Sequence, residues 1–220
     1  MTLLLEPYVE QLAHWPRAGR HILAQFDDES VIVYQAYRPE IGHYAADHGA
    51  FGAGFSLSRM TWIKPNFLWM MFRSGWGTKV DQEVTLAIRI KKAGFDALLR
   101  EAVPSSYDAR SGGTEADWHR AVKRSAVRLQ WDPDHDPSGA RVERRAIQLG
   151  IRGETLLRFT NEWILGIEDI SDMVVAQRGR PPADLVVPRE RVYSPPSEAL
   201  QGLGMIQDCS NPTATEGADA

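Results

Sequence analysis

Cysteine is almost absent. Cys209 is the single one in 220 residues, which excludes an internal disulfide framework and any zinc site built from thiolates. Long apolar runs are missing too. No stretch approaches the ~18 residues that a membrane span needs, and the opening residues lack the basic and apolar regions of a secretory leader, so the expectation is a cytoplasmic protein with no membrane partner. Nor is positive charge in surplus. Lys and Arg number 25 against 29 Asp and Glu, so no global basic field recruits nucleic acid or anionic lipid, and any polyanion site has to be local.

Several signatures of chemistry are also absent. There is no Walker P-loop, no Gly-x-Gly-x-x-Gly between a strand and a helix, no Gly-x-Ser-x-Gly elbow and no His-Glu-x-x-His pair. The loop from Gly52 to Gly54 has two glycines and no following helix start, which reads as a connector. His43 and His48 are five apart, a spacing that does not share a helix face. Asp132, Asp134 and Asp136 alternate as a calcium loop begins, but Pro137 stands where the sharp turn of such a loop needs glycine. No metal is expected.

What remains is an ordinary globular composition, 43% hydrophobic and 25% charged, which rules out wholesale disorder. Leu4, Tyr8 and Leu12 have helical spacing and predict a short amphipathic helix from Leu3 to His14. The β-prone runs His21 to Gln25 and Val31 to Ala36, separated by Asp27-Asp28-Glu29-Ser30, predict a hairpin. A helix from Glu40 to His48 stops at Gly49, and a bulky apolar helix lies between Pro65 and Gly75. Strands are predicted at Val84 to Ile90, Val127 to Trp131, Arg145 to Ile151 and Trp163 to Ile167, and helices around Phe95 to Leu99, Trp118 to Arg124 and Glu154 to Glu162. The turn-forming run Asp132 to Gly139 predicts a loop. Strands and helices do not alternate regularly, so the expected fold is α+β, a single domain over residues 1–194 with a mixed or antiparallel sheet and surrounding helices. Residues 195–220, thin in apolar side chains and acidic, predict a disordered tail.

One zone stands out. Trp62, Trp69 and Trp76 recur at intervals of seven, and Arg59, Lys64, Arg73 and Lys79 lie among them. Between Ser56 and Arg100 basic side chains outnumber acidic ones, in a chain that is acidic as a whole. Indole faces stack on bases or nicotinamide, and Lys and Arg pair with phosphate oxygens, so this composition suits a nucleotide or a single-stranded nucleic acid. The same pattern also fits indoles anchoring a core with basic stems around them, the reading that fits Trp69 best. Lys64, Arg73 and Ser74, polar groups at the ends of a buried helix, are the sharper site candidates.

These residues carry a resemblance. The runs Val33 to Tyr37, Arg59 to Pro65, Phe67 to Met70, Arg73 to Trp76, Gln130 to Pro133 and Arg145 to Gly150 resemble an uncharacterised domain family of bacteria and fungi whose hallmark is a tryptophan-rich WIKPxFxWM segment. The likeness runs from about Arg20 to Ser171, with Asn66 where that family favours Ser. More distantly, the order of elements is similar to the ADP-ribosyltransferase superfamily, particularly its DNA-modifying branch. That resemblance implies NAD as the cofactor, consumed as a substrate, with nucleic acid or protein as the acceptor. It implies Tyr34 and Trp62 as aromatic walls and Arg59, Lys64 and Arg73 on the phosphates. Gln35, Ser74 and Gln82 would complete the binding residues. Gln148 stands at or beside the place of the superfamily's catalytic Glu, which leaves Glu83 as the carboxylate to stabilise the oxocarbenium-like transition state. The alternatives are a non-catalytic module binding single-stranded nucleic acid through the same zone, and a small-molecule or protein-interaction domain without turnover.

Overall fold

A computed structural model describes residues 3–52, 54–109 and 113–205. In chain order the first half holds strand Leu5–Pro7 (β1), helix Tyr8–Gln11 (α1), strands Gly19–Arg20 (β2), Ile22–Ala24 (β3) and Ser30–Tyr37 (β4), helix Pro39–His48 (α2), strand Thr61–Ile63 (β5), helix Phe67–Ser74 (α3), strand Val84–Lys91 (β6) and helix Lys92–Glu101 (α4). The second half adds strand Ala102–Pro104 (β7), helix Glu115–Arg124 (α5), strands Val127–His135 (β8) and Arg141–Ile151 (β9), helix Gly153–Arg158 (α6), strand Ile164–Asp169 (β10), helix Ser171–Gln177 (α7), strands Val186–Pro188 (β11) and Arg191–Tyr193 (β12), and helix Leu200–Leu203 (α8). The fold is α+β, a single domain with antiparallel and mixed sheets. No described helix is long and apolar enough to cross a membrane.

Two sheets meet at one seam. In the first, β6 lies between β4 and β10, antiparallel to both. In the second, β8 and β9 form a long antiparallel pair, β7 runs parallel to β8, and β2 and β5 share the far edge of β9. Tyr34 and Lys64 exchange backbone hydrogen bonds, Tyr34 N–H to the Lys64 carbonyl at 2.7 Å and the reverse at 3.2 Å, and so join β4 to the end of β5. This seam links the middle of β4, through β5 and its continuation, to β9.

Alternation along the strands sorts the side chains onto two cores. Val31 and Val33 of β4 face Phe95, Leu98 and Leu99 of α4, with Ile63, Leu129 and Leu149 from the second sheet. Ile32 and Tyr34 point the other way, onto Phe67, Leu68, Met70 and Met71 of α3. Both faces of β4 are therefore covered, which is why its sequence is an unbroken apolar run instead of an apolar and polar alternation.

Local chemistry frames α3. Asn66 caps it, its Oδ1 accepting the Trp69 N–H at 2.7 Å. Glu190, buried, accepts the Phe67 N–H at 2.6 Å and the Asn66 side-chain amide at 3.0 Å, and burial pushes its pKa well above the usual carboxylate range. Gly75 ends the helix at φ 59°, a left-handed conformation that costs glycine nothing. Trp69 is buried and stacks near-parallel on Phe72 at 5.5 Å and His135 at 5.4 Å. Trp69→Ala is expected to cost roughly 3 to 5 kcal/mol in a urea melt, as a core truncation that the long side chains around it cannot refill. A loss below 1 kcal/mol would show that the site collapses.

Three sequence expectations are corrected. The predicted helix from Leu3 to His14 is helical only at Tyr8–Gln11, because Leu5–Pro7 pairs with β11 instead. The loop predicted from Asp132 starts at Asp136: β8 continues through Asp132, Pro133, Asp134 and His135, paired with β9 across a bulge. The turn itself closes between Asp136 and Ala140. Residues 195–205, expected in the tail, form a 3₁₀ turn at Ser197–Ala199 and then α8, burying Ala199 and Leu203 in the first core. The remainder of that predicted tail, 206–220, lies outside the described residues.

Candidate functional site

The seam between β4 and β5 leaves a cavity of about 180 Å³. Gln35 and Tyr37 from the end of β4, Thr61, Trp62 and Lys64 from β5 and its continuation, Arg73 from the last turn of α3, and Gln82 from the loop before β6 all line it. Met60 and Met70 supply apolar wall. Five of the residues nominated from sequence, Gln35, Trp62, Lys64, Arg73 and Gln82, thus converge on one concavity. A second cavity of about 330 Å³ holds Arg59 together with Arg38, and shares Tyr37, Met60 and Thr61 with the first. The two adjoin.

Lys64 is the unusual member. It is 6% exposed, makes no salt bridge among the described residues, and its pKa is pushed from 10.5 down to about 8. Burial is the main cause, the like charge of Arg73 adds to it, and the Asp132 carboxylate pulls the other way. Gln35, 3% exposed, donates to Thr61 Oγ1 at 2.6 Å and to the Trp62 carbonyl at 3.1 Å, while its Oε1 has no hydrogen-bond partner. A buried acceptor without a partner costs about 1–3 kcal/mol.

Register explains the placement. Trp62 pairs with Gly150, so Trp62, Lys64 and Gln148 project from the same side of the sheet. Gly150 is needed there: a Cβ on it would stand 2.9 Å from Cζ2 of the Trp62 indole and 2.6 Å from the Met60 sulfur. Gln148 pairs in turn with Gln130, and its Nε2 donates to Gln130 Oε1 and to Asp132 Oδ2, both at 2.7 Å. Burial raises the Asp132 pKa, against the hydrogen bond from Gln148 and the charges of Arg73 and Lys64. Gln130 and Asp132 line neither seam cavity but a third, larger one of about 560 Å³, whose walls include Trp118, Trp131 and Arg20.

Four nominated residues do not line the two seam cavities: Gln148, whose amide is spent on Gln130 and Asp132, and Tyr34, Ser74 and Glu83. Tyr34 is fully buried, edge-on to Phe67 at 5.5 Å with its hydroxyl unpartnered, so it belongs to the core beneath the seam and forms no aromatic wall. Ser74 is also buried, donating to the Met70 carbonyl at 3.0 Å and accepting the Gly77 N–H at 3.2 Å, which closes the end of α3. Glu83 is exposed and its carboxylate accepts the Asp81 N–H at 3.0 Å. Its neighbour Gln82 is the one that reaches the cavity. Sequence reasoning missed Asp132 as a site carboxylate because the prolines and aspartates around it read as a turn. The signal was the alternation of Gln130 and Asp132 opposite Gln148, legible only once the two strands are paired.

The family model described as a domain of unknown function, DUF4291, matches residues 21–193. The chain belongs to the DUF4291 family. Every residue of the seam and of both adjoining cavities falls inside that span, as do Asp132 and Gln148. No curated protein matches the sequence.

Proposed function

We propose that this DUF4291 protein binds a phosphate-bearing nucleotide, NAD first among candidates, across the two adjoining cavities, and acts as an ADP-ribosyltransferase-like enzyme on a nucleic-acid or protein acceptor. The observation that carries the reading is the convergence of Lys64 and Arg73 on one cavity, neither of them in a salt bridge among the described residues, beside a half-buried indole and two side-chain amides. Unpaired cations at a concave, partly apolar site favour an anion, and Trp62 offers a planar face next to it. A cavity of about 180 Å³ is too small for a whole dinucleotide, so the second cavity, with Arg38 and Arg59, supplies the remaining room.

Asp132 replaces Glu83 as the proposed carboxylate. Glycosyl transfer from NAD develops positive charge on the ribose, and Asp132 is a half-buried acid held by Gln148 within the field of the two cations. Glu83 is exposed and turned onto its own backbone turn. The single-strand-binding alternative has less support, since Trp69 is buried and Trp76 packs edge-on against Phe67 at 5.9 Å, leaving Trp62 alone of the three indoles to stack on a base.

NAD at about a hundredfold its Kd is expected to add about 2.7 kcal/mol, a rise in thermal midpoint of roughly 5–10 °C for a chain of this size. Arg73→Gln should remove most of that rise without lowering the midpoint of the free protein. Release of nicotinamide then distinguishes an enzyme from a binder. An unchanged midpoint with NAD, ADP-ribose and ADP alike would sink the nucleotide reading.

A further inference from the structure

The geometry points to Lys64 as a covalent amine: its Nζ condenses with the aldehyde of a phosphate-bearing sugar, such as the open-chain form of ribose 5-phosphate or of ADP-ribose, while Arg73 holds the phosphate. The inference rests on the reading that this cavity accepts phosphate, and adds a reaction at a named atom.

Three observations combine. Lys64 is a lysine with almost no exposed surface whose ammonium has no salt-bridge partner among the described residues, so its charged form has lost hydration that the more distant Asp132 carboxylate only partly offsets. Such an amine has a low pKa, here about 8, and a substantial uncharged fraction near neutral pH. Next, Arg73 opens onto the same cavity and provides a permanent cation for an anionic substituent. Finally, the Gln82 amide and the Thr61 and Tyr37 hydroxyls give the same cavity a polar wall, which sugar hydroxyls match better than a bare oxyanion does. Phosphate, hydroxyls and a carbonyl in one small molecule describe an aldose phosphate.

The chemistry balances without a co-reactant. The Nζ lone pair attacks the aldehyde carbon, the carbonyl oxygen takes up a proton, and the resulting carbinolamine loses water to leave a C=N bond. Both amine hydrogens depart with the carbonyl oxygen as that water.

The test is reductive trapping on the full-length protein with cyanoborohydride, followed by peptide mapping. Ribose 5-phosphate and ADP-ribose are compared with unphosphorylated ribose. The chain has four other lysines, Lys79, Lys91, Lys92 and Lys123, which act as internal controls. At pH 7 the Lys64 peptide is expected to gain the mass of the sugar less one oxygen at least about tenfold faster than any other lysine peptide, given the larger free-amine fraction. The phosphorylated sugars should outpace ribose, and Arg73→Gln should erase that preference while slowing labelling by every sugar, because the Arg73 charge also helps to keep the Lys64 amine unprotonated. Modification spread evenly over the five lysines, or equal rates with and without phosphate, would overturn the proposal. A midpoint shift with NAD but no trapping rejects the amine chemistry alone. Trapping with ribose 5-phosphate but no response to NAD or ADP-ribose confines the site to small sugar phosphates and rejects the dinucleotide reading instead.

Discussion

Lys64→Met is expected to raise the thermal midpoint of the free protein at pH 7 by roughly 6–12 °C and to abolish capture of phosphate-bearing ligands. In the unfolded chain the amine holds its proton up to about 10.5, whereas in the folded protein it releases it near 8. Between those values the unfolded state binds more protons, so folded stability rises with pH through that window and the full penalty applies below it. A shift of that size corresponds to roughly 3 kcal/mol, at about 1.4 kcal/mol per unit. Methionine keeps an unbranched stem of similar reach and carries no charge to desolvate, and the backbone bonds that tie residue 64 to Tyr34 do not involve the side chain. Melting curves of both proteins between pH 7 and pH 10 check this: the variant's advantage should shrink as pH rises. A variant that melts lower than the parent at pH 7 would show that some partner stabilises the ammonium, and the case for an unpaired amine would fall. A site that weakens the fold it sits in, and is relieved by removing its key side chain, is the behaviour expected of a functional residue.

The second large effect has the opposite sign. Asp134→Ala is expected to cost roughly 3–5 kcal/mol in a urea or thermal melt. Asp134 and Arg144 are both buried, and two guanidinium nitrogens approach Asp134 Oδ2 at 2.7 and 2.6 Å. Arg144 also donates to the Pro16 carbonyl at 2.7 Å and lies over the Trp15 ring at 5.2 Å. Burial raises the Asp134 pKa and the Arg144 charge pulls it back. Truncating the acid would strand a guanidinium where water cannot reach it. The double variant Asp134→Leu, Arg144→Met should recover most of the loss, because two apolar side chains avoid the desolvation cost that the pair has to offset. If the single and double variants lose the same amount, the pair is not what holds β8 and β9 together at this end. The consequence reaches the site, since Asp134 follows Asp132 on the same strand and anchors the β8 extension on which that carboxylate sits.

How much of this was legible beforehand depends on the range of the interaction. The helix between Pro65 and Gly75 could be read directly, because its cap, its stop and its apolar face are local. The chain reversal between β3 and β4 and the strand at β6 were legible for the same reason. The expected hairpin pairing was not formed: β3 pairs with β12 and β4 with β6, and the two are joined by the Phe26–Val31 bridge and the Ile32 N–H to the Gln25 carbonyl. Thr61–Ile63 was not recognised as a strand, since three residues carry no period, and their pairing with β9 and bridge to β4 come from partners far along the chain. Turn chemistry misled at Asp132 to His135. Proline and aspartate there do favour a turn, but antiparallel pairing to β9 and the buried Asp134–Arg144 bridge outweigh that local preference.

The sequence by itself determined that the chain builds an α+β domain with a cationic, tryptophan-rich zone in an acidic background, because composition, caps and periodicity are written in neighbouring residues. It could not tell which of those cations keep water and which lose it. Tertiary structure decided that Lys64 is buried, that Tyr34 and Ser74 serve the core, and that the Asp132 carboxylate lies within the field of Lys64 and Arg73. The placements of Lys64 and Asp132 depend on the register of β5 and of β8 against β9, where a shift of one residue turns a side chain to the opposite face.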